Sequence, residues 1–233
     1  TSKIMKHLIE TTDSSSLPIV EYDRLILDTT ANDVIVGGGV NTEYVDLGLS
    51  VKWAKCNLGA KTETDYGDYF MWGSTRPNTA DECTWAKAPF NNGSSSYNST
   101  YFKSVKDTVC PNGILAKEYD AAAQIMGGDW RMPTKAKLRE LIDNTTSEWT
   151  TINGVSGMKF ISKTDETKYI FIPAAGYCNY GSVHSVGNIS YFWSSSLFTS
   201  YANYAWYLGF DSNGYSMYYD YRYVGQSVRG VRE

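Results

Sequence analysis

The amino-acid sequence predicts a mixed α+β domain with two helices, short strands and a large share of loops. The first predicted helix covers residues 120–126 and stops at Gly127-Gly128, since glycine commonly follows the last helical residue. The second begins at Pro133-Thr134, where the threonine can cap the helix and apolar residues recur at helical spacing, and it ends before Asn144. From Trp149 onward, short apolar runs separated by Gly and Asn are typical of strands.

Three other segments complete the predicted organisation of the main domain, residues 44–233. Residues 168–173 and 44–53 have strand-like patterns, and the latter run ends at Trp53. Residues 73–118 contain many turn-forming residues and little periodicity, so they predict a long loop region.

Residues 1–43 differ from the rest and predict an N-terminal stalk or connector. Within them, residues 25–36 contain two β-rich runs around an Asn-Asp turn, which predicts a hairpin. The run Gly37-Gly38-Gly39 then predicts a flexible joint. It is not a phosphate-binding loop, because no Gly-Lys-Ser/Thr follows it.

Composition and charge exclude two classes of partner. The 21 basic and 25 acidic residues are interspersed, and no Lys/Arg-rich run exists, so nucleic-acid binding is not expected. No apolar run approaches the roughly 20 residues that span a bilayer, so direct membrane insertion is not expected. With 42% hydrophobic and 15% aromatic residues, the chain can bury a sizeable core.

The cysteines and histidines do not indicate a metal site or a cofactor. Cys56, Cys83, Cys110 and Cys178 form no Cys-x-x-Cys pair, and we expect free, buried thiols, although three disulfide pairings stay open. The chain has two histidines, which excludes a histidine-rich metal site. We therefore expect no cofactor and no metal.

Residues 177–223 have the composition of a recognition surface. They hold eleven of the 19 tyrosines, and Tyr, Ser, Asn and Gly supply 28 of these 47 residues. Tyrosine offers a large amphipathic face and loses only two side-chain torsions on binding, while the smaller residues adapt and form hydrogen bonds. The alternative is that the tyrosines only pack a β-sheet, where aromatic residues are favoured.

The strand pattern in this segment predicts which side chains face outward. In residues 204–211, a period of two places Trp206, Leu208 and Phe210 in the core, and Tyr207 and its alternate neighbours outside. A two-residue break at 212–213 precedes Gly214, and the following run is too rich in tyrosine to be simple core.

Six fragments, in order along residues 44–232, resemble a known family. The segment WRMPTKAKLRE at 130–140 is similar to the W-R-L-P-T-E-A-E-W segment of C-type-lectin-fold domains related to the formylglycine-generating enzyme. The others are VDLGLSVKWA (45–54), YGDYFMWG (66–73), PAAGY (173–177), FWSSS (192–196) and GQSVR (225–229), which resemble the bacterial major paralogous branch of that family. The resemblance implies a C-type lectin fold.

The C-terminal part also resembles the variable region of proteins diversified by diversity-generating retroelements, in which Asn codons scatter into Tyr, Ser, Asp, His and Phe. This resemblance implies a fixed framework of Trp193, Ser194, Ser195, Ser196, Trp206, Leu208, Phe210, Arg222 and Gly225. It implies ligand-binding positions between them: Phe192, Phe198, Tyr201, Asn203, Tyr204, Tyr207, Asp211, Asn213, Tyr215, Tyr218, Tyr219, Tyr221 and Tyr223.

The resemblance further implies an extracellular display domain of a phage tail fibre or a bacterial cell surface, which binds a protein or glycan receptor. Residues 28–39 are similar to repeats in tail-fibre proteins of gut phages, for which a homo-oligomer, a trimer, would be expected. The alternative from another class is a structural pilus or tail subunit whose tyrosine face packs against a neighbouring protomer. A third is a degenerate enzyme of the formylglycine-generating type.

Catalysis is not expected from the sequence. Calcium-binding sugar lectins use Glu-Pro-Asn or Gln-Pro-Asp with Trp-Asn-Asp, and formylglycine-generating enzymes need a C-terminal cysteine pair; the chain has neither. No Gly-x-Ser-x-Gly surrounds the serines at 194–196, and His184 is the one histidine of the main domain. We expect His184 to lie on the rim of the binding surface.

Overall fold

The computed structural model divides the chain into two units, Thr1–Val40 and Asn41–Glu233. It describes residues 26–27, 34–35 and 40–233. In the first unit, β1 (Ile26–Leu27) and β2 (Val34–Ile35) pair antiparallel, with Ile26 opposite Ile35. The turn predicted between these strands and the predicted joint Gly37-Gly38-Gly39 lie outside the described residues.

The second unit is a mixed α+β structure, which confirms the predicted class. Its helices are α1 (Ser99–Val109), α2 (Ala121–Met126) and α3 (Lys135–Asn144), with 3-10 turns at Pro111–Gly113 and Lys117–Tyr119. In the described part of the chain, no helix has the length and apolar character needed to cross a membrane.

The two predicted helices are confirmed together with their capping residues. The Asp120 carboxylate accepts from the backbone N–H of Ala123, and α2 is followed by Gly127. The Thr134 hydroxyl accepts from Lys137 N–H at the start of α3, whose three predicted apolar side chains are buried. Helix α3 includes Asn144 and thus runs one residue further than predicted.

The prediction of a long loop over residues 73–118 was wrong, because α1 lies within it. The Asn98 side chain accepts from Tyr101 N–H at 3.0 Å and so satisfies one of the free N–H groups of the first turn. Phe102 and Val109, seven residues apart, lie on one buried face. Their burial stabilises a helix whose many β-branched and hydroxyl residues have low helical propensity.

The second unit contains three three-stranded antiparallel sheets and one two-stranded pair. Strands β3 (Tyr44–Val45), β4 (Lys52–Ala54) and β13 (Val231–Arg232) have the order β13-β4-β3. The second sheet, in chain order, contains β5 (Thr145–Ile152), β6 (Val155–Ser162) and β7 (Tyr169–Pro173). Strands β8 (Tyr177–Asn179) and β9 (Ser182–His184) form the pair. The third sheet contains β10 (Ile189–Leu197), β11 (Tyr204–Asp211) and β12 (Gly214–Tyr221).

The strand predicted over 44–53 is instead two short strands that pair with each other. Tyr44 lies opposite Ala54 and Val45 opposite Trp53, so the chain reverses between them, where Gly48 has a φ of 74°. Trp53 is fully buried, as its aromatic character predicted. The strand predicted at 168–173 is confirmed as β7.

In the second unit, two hydrophobic clusters form the core, and the sheet β10-β11-β12 contributes to both. The larger includes Trp72, Phe102 and Trp193, and the smaller packs Trp53 and α3 against Phe160 and its neighbours. All four cysteines are buried and free, as predicted.

Candidate functional site

The hairpin of β11 and β12 positions most of the predicted ligand-binding residues. Asp211 lies opposite Gly214, so residues 212–213 form the connecting turn, where the sequence predicted a break. Successive residues point to opposite faces, and directly paired residues share a face. Tyr204 and Trp206 therefore lie on the same face as their partners Tyr221 and Tyr219, and Tyr207 lies with its partner Tyr218 on the other.

On the first face, six aromatic residues form an aromatic patch near the end of the sheet. Phe198 stacks on Tyr219 with ring centroids 4.2 Å apart, and Tyr204 stacks on Tyr221 at 4.6 Å. The Tyr201 side chain is 65% exposed, Tyr219 48% and Tyr221 37%. Contacts between neighbouring rings hold the rings of the patch in place, while the outer side of the patch faces solvent. The patch comprises Phe198, Tyr201, Tyr204, Trp206, Tyr219 and Tyr221.

Trp206 was predicted to be core, but it is only partly buried. The Lys135 ammonium lies 3.3 Å from the centroid of its ring, where a cation–π attraction holds it. Desolvation lowers the pKa of Lys135, and Arg139 contributes in the same direction. Trp206 therefore joins the core of the sheet to the aromatic patch.

On the opposite face, five rings contact one another in succession to form a tyrosine row, in which the first two pairs are stacked and the last two are tilted. The centroid distances are 5.1 Å from His184 to Tyr177, 4.9 Å to Tyr191, 4.6 Å to Tyr207 and 6.0 Å to Tyr218. The last three rings line a shallow groove of about 460 Å³ together with Asp211, Asn213 and Tyr215. Tyr177 and Tyr191 were absent from the predicted site, although both belong to the tyrosine-rich segment that indicated it.

Gly209 makes room for the tyrosine row. A Cβ atom at this position would lie 3.1 Å from the Tyr207 ring and 3.3 Å from the Tyr191 ring, closer than most side-chain contacts. At the other end of the row, His184 is partly buried, and its Nε2 lies 2.9 Å from Oδ1 of Asn179. His184 thus lies at the edge of the aromatic row and contacts an amide.

Three predicted ligand-binding residues are buried, which corrects their assignment to an exposed surface. Phe192 is fully buried beside Phe210 in the smaller core cluster. Tyr207 does lie on the face opposite Leu208, but Tyr191, Trp193 and Tyr218 cover it and leave 6% exposed. Tyr223 packs between Trp85 and Tyr180. Burial raises the pKa of the Tyr207 and Tyr223 phenols.

The other ten predicted positions are at least partly exposed. The more exposed are Tyr201, Asn213, Tyr215, Tyr218, Tyr219 and Tyr221; the less exposed are Phe198, Asn203, Tyr204 and Asp211. Among the framework residues that the resemblance implied, only Ser196 and Trp206 are not buried. Exposed and buried positions thus lie close together in the same sheet.

Asp220 is a partly buried carboxylate beside the tyrosine row. It lies two residues after Tyr218 and on the same face, and its Oδ1 accepts from the N–H of Tyr221. Burial raises the pKa of Asp220 to about 6, and the negative charge contributes to the raised pKa of the Tyr191, Tyr207 and Tyr223 phenols, which burial raises first. The neighbouring phenols offer no positive charge.

We expect Asp220→Asn to change how stability depends on pH. The folded chain keeps a proton on Asp220 up to about pH 6, whereas an unfolded aspartate loses it near 4. The protonated Asp220 carboxyl therefore favours folding at low pH, and this contribution is lost as the pH rises through 6. Relative to Asp220→Asn, the wild-type free energy of unfolding should fall by about 1–3 kcal/mol between pH 4 and 7.

Urea unfolding at a series of pH values measures this difference. Asp81→Asn is the matched control, because Asp81 is an exposed carboxylate. Parallel pH profiles for wild type and Asp220→Asn would contradict the prediction.

In the described part of the chain, no group of three or more His, Cys, Asp or Glu side chains is arranged to hold a metal ion.

A family described as a domain of unknown function (DUF8237) matches residues 134–231, from the cap of α3 to β13. That match covers the whole sheet β10-β11-β12 and less than half of the chain. Comparisons with curated proteins and with solved structures gave no significant match.

Proposed function

We propose that the chain is an extracellular binding domain that presents the aromatic patch and the neighbouring groove to a protein or glycan receptor. The observation that carries the proposal is the solvent exposure of the patch, in which Tyr201, Tyr219 and Tyr221 are 65, 48 and 37% exposed. Contiguous exposed aromatic surface is unfavourable in water, and in soluble proteins it commonly marks a contact site.

The arrangement of the rings suits recognition. Because Phe198, Tyr219, Tyr204 and Tyr221 already contact one another, they lose little side-chain freedom when a partner binds. The hydroxyl groups of the three tyrosines add hydrogen-bonding capacity to a flat apolar surface, as in antibody paratopes. Such a surface fits the face of a sugar ring or a protein side chain equally well.

The chemistry of the surface formed by the aromatic patch and the tyrosine row leads us to propose binding rather than catalysis. Its titratable groups are tyrosines, Asp211, Asp220, His184 and Lys135, which lies over the Trp206 ring. The hydrogen-bond partner of His184 is Asn179, and a histidine that activates a nucleophile needs a hydroxyl or thiol in that place.

The proposed fold is that of C-type lectins, in the branch related to the formylglycine-generating enzyme. In support, the fragments that carry the resemblance pair with one another. Phe70 of fragment 66–73 pairs with Gln226, and Phe192 pairs with Ser227. Val231, just after the last fragment, pairs with both Trp53 and Arg131 and so links their two fragments. Fragments far apart in sequence thus form one framework, and Arg229 within it is fully buried and bonded to Asn57.

The proposed diversification by a retroelement is tested by sequencing the coding region in many cells or virions of one population. We expect substitutions at the exposed positions, such as Tyr201, Tyr219 and Tyr221, and constancy at Trp193 and Arg222. A reverse transcriptase gene beside a near-copy of the 3′ coding end is expected in the same genome. Substitutions spread evenly over the sheet would contradict diversification.

The proposed carrier is a phage tail fibre or a bacterial cell surface, and the alternative use of the patch is assembly with a neighbouring protomer. Light scattering across a range of protein concentrations separates the two. A display surface stays open, so wild type and Tyr219→Ala/Tyr221→Ala should have the same molar mass. Dissociation of an assembly by the double substitution would favour the structural subunit.

A further inference from the structure

Cys83 and Cys178 lie in contact in the interior of the second unit. Both are fully buried, and their Sγ atoms are 3.2 Å apart although 95 residues separate them in sequence. Cys83 belongs to the loop before α1, and Cys178 is the central residue of β8. This contact is distinct from both the aromatic patch and the groove.

The backbone on both sides holds the two sulfur atoms together. Cys178 exchanges two backbone hydrogen bonds of 2.8 Å with Gly225, and the N–H of Tyr180 donates to the Cys83 carbonyl at 3.1 Å. Gly181 N–H also donates to the Ala80 carbonyl, so the β8–β9 turn is fixed against the Cys83 loop.

Gly225 leaves the space that the sulfur pair occupies. A Cβ atom on this residue would lie 2.4 Å from Sγ of Cys178 and 2.6 Å from Sγ of Cys83. Any larger residue would therefore push the two sulfurs out of place. The local backbone and the glycine together bring two reactive groups to within 3.2 Å.

We infer that Cys83 and Cys178 form a disulfide when the chain meets an oxidised thiol–disulfide partner, such as oxidised glutathione or a disulfide oxidoreductase. One cysteine thiolate attacks the partner disulfide and expels one thiolate, which leaves a mixed disulfide. The second cysteine then attacks the protein sulfur of that mixed disulfide and expels the other. Two protein thiols lose two protons and two electrons, and the partner disulfide becomes two thiols.

Burial decides when the exchange can take place. Either sulfur can donate the hydrogen bond between Cys83 and Cys178, and both side chains are fully buried, so the partner disulfide reaches them while the chain folds or when this segment opens. The two sulfurs need to approach by about 1.2 Å to reach bonding distance.

The disulfide would tie the loop that carries Trp85 to the hairpin that carries Tyr177 and His184. Trp85 packs against Tyr221 of the aromatic patch, and Tyr177 and His184 begin the tyrosine row. The bridge would thus restrain two segments beneath the proposed binding surface. The inference rests on the sulfur contact alone and stands whether or not the surface binds a receptor.

The test equilibrates the full chain in buffers of reduced and oxidised glutathione, starting from native and from unfolded protein. We expect the count of free thiols to fall from four to two and mass spectrometry to find a peptide link between residues 83 and 178. In the oxidised form, the equilibrium constant of unfolding should fall roughly 30- to 1000-fold relative to the reduced form.

Variants identify the residues involved. Cys56→Ser/Cys110→Ser should form the same link, whereas Cys83→Ser should form none. Four free thiols at the most oxidising ratio from both starting states would overturn the inference, as would a link through Cys56 or Cys110 or a lasting glutathione adduct in the wild type. The wild-type thiol count decides the question even if a variant fails to fold.

Discussion

Replacing Arg222 by alanine is expected to lower the free energy of unfolding by about 3–5 kcal/mol. The Arg222 side chain is fully buried, and its guanidinium carbon lies 3.9 Å from the centroid of the Phe102 ring. Its Nε donates to the Ala202 carbonyl at 2.9 Å and its Nη1 to the Pro89 carbonyl at 3.3 Å. Alanine would leave both carbonyls without donors and open a cavity between four aromatic rings.

Arg222→Met separates the roles of shape and charge. Among the described residues no carboxylate pairs with Arg222, and burial lowers its pKa to about 10, so its charge is costly to bury. Methionine fills the space and removes that cost, and we expect a loss of about 1–3 kcal/mol. The free energy of unfolding should therefore decrease in the order wild type, Arg222→Met, Arg222→Ala. The midpoints of urea unfolding measure this order, provided that the dependence of the free energy on urea concentration is the same for all three chains.

Arg76→Ala is the matched control for loss of an arginine. Arg76 is exposed and forms a surface ion pair with Glu82 at 2.6 Å, so its replacement should change stability by less than about 1 kcal/mol. An Arg222→Ala chain as stable as the Arg76→Ala chain would show that the buried guanidinium does not hold the loop, α1 and β12 together.

Replacing Tyr219 and Tyr221 together by alanine is expected to reduce receptor binding at least 100-fold, since aromatic residues at the centre of an interface contribute about 2 kcal/mol or more each. Both rings are more than one-third exposed and belong to the aromatic patch. Their removal should lower the free energy of unfolding by only about 1–2 kcal/mol, the value of exposed cross-strand aromatic pairs. Binding of the fluorescently labelled chain to a panel of intact bacterial cells and to a glycan array measures the first effect.

Tyr44→Ala is the control for this pair, because Tyr44 is a 50% exposed tyrosine on β3, in another sheet. Its binding should equal that of the wild type. Tyr219→Phe/Tyr221→Phe keeps the rings and tests the contribution of the hydroxyl groups. Equal binding by wild type and the alanine pair to every cell or glycan that retains the wild type would contradict a role for the patch.

In contrast to the Tyr219/Tyr221 pair, Tyr207→Ala is expected to cause a large loss of stability. It shows that the face on which a side chain lies does not by itself decide whether that side chain is exposed. Its ring is 6% exposed and contacts Tyr191, Trp193 and Tyr218, so alanine should cost about 3 kcal/mol of stability. The alternation of side chains along β11 correctly predicts that Tyr207 and Leu208 point to different faces of the sheet. The covering rings come from β10 and β12, and their positions are not encoded in the pattern of β11 itself.

Local signals in the sequence predicted the elements that depend on neighbouring residues. The glycine stop at Gly127-Gly128 predicts the end of α2, and Thr134 with the apolar repeat after it predicts α3, since each signal lies within a few residues of its helix. Helix α1 had the same kind of signal in Asn98, Phe102 and Val109, but turn-forming residues before it obscured the pattern. The sequence predicts β3 and β4 as one strand because the reversal between them, at Gly48, is short.

By itself, the sequence determined the class of the domain, the two capped helices, the tyrosine-rich segment and the alternation of β11, because each depends on residues close together in the chain. Only the tertiary structure decided that Tyr207, Phe192 and Tyr223 are covered and that Cys83 meets Cys178. Those outcomes depend on pairing between strands and loops far apart in the chain, as with Cys83 and Cys178 at a separation of 95 residues, and burial is set by whichever side chains the register brings across.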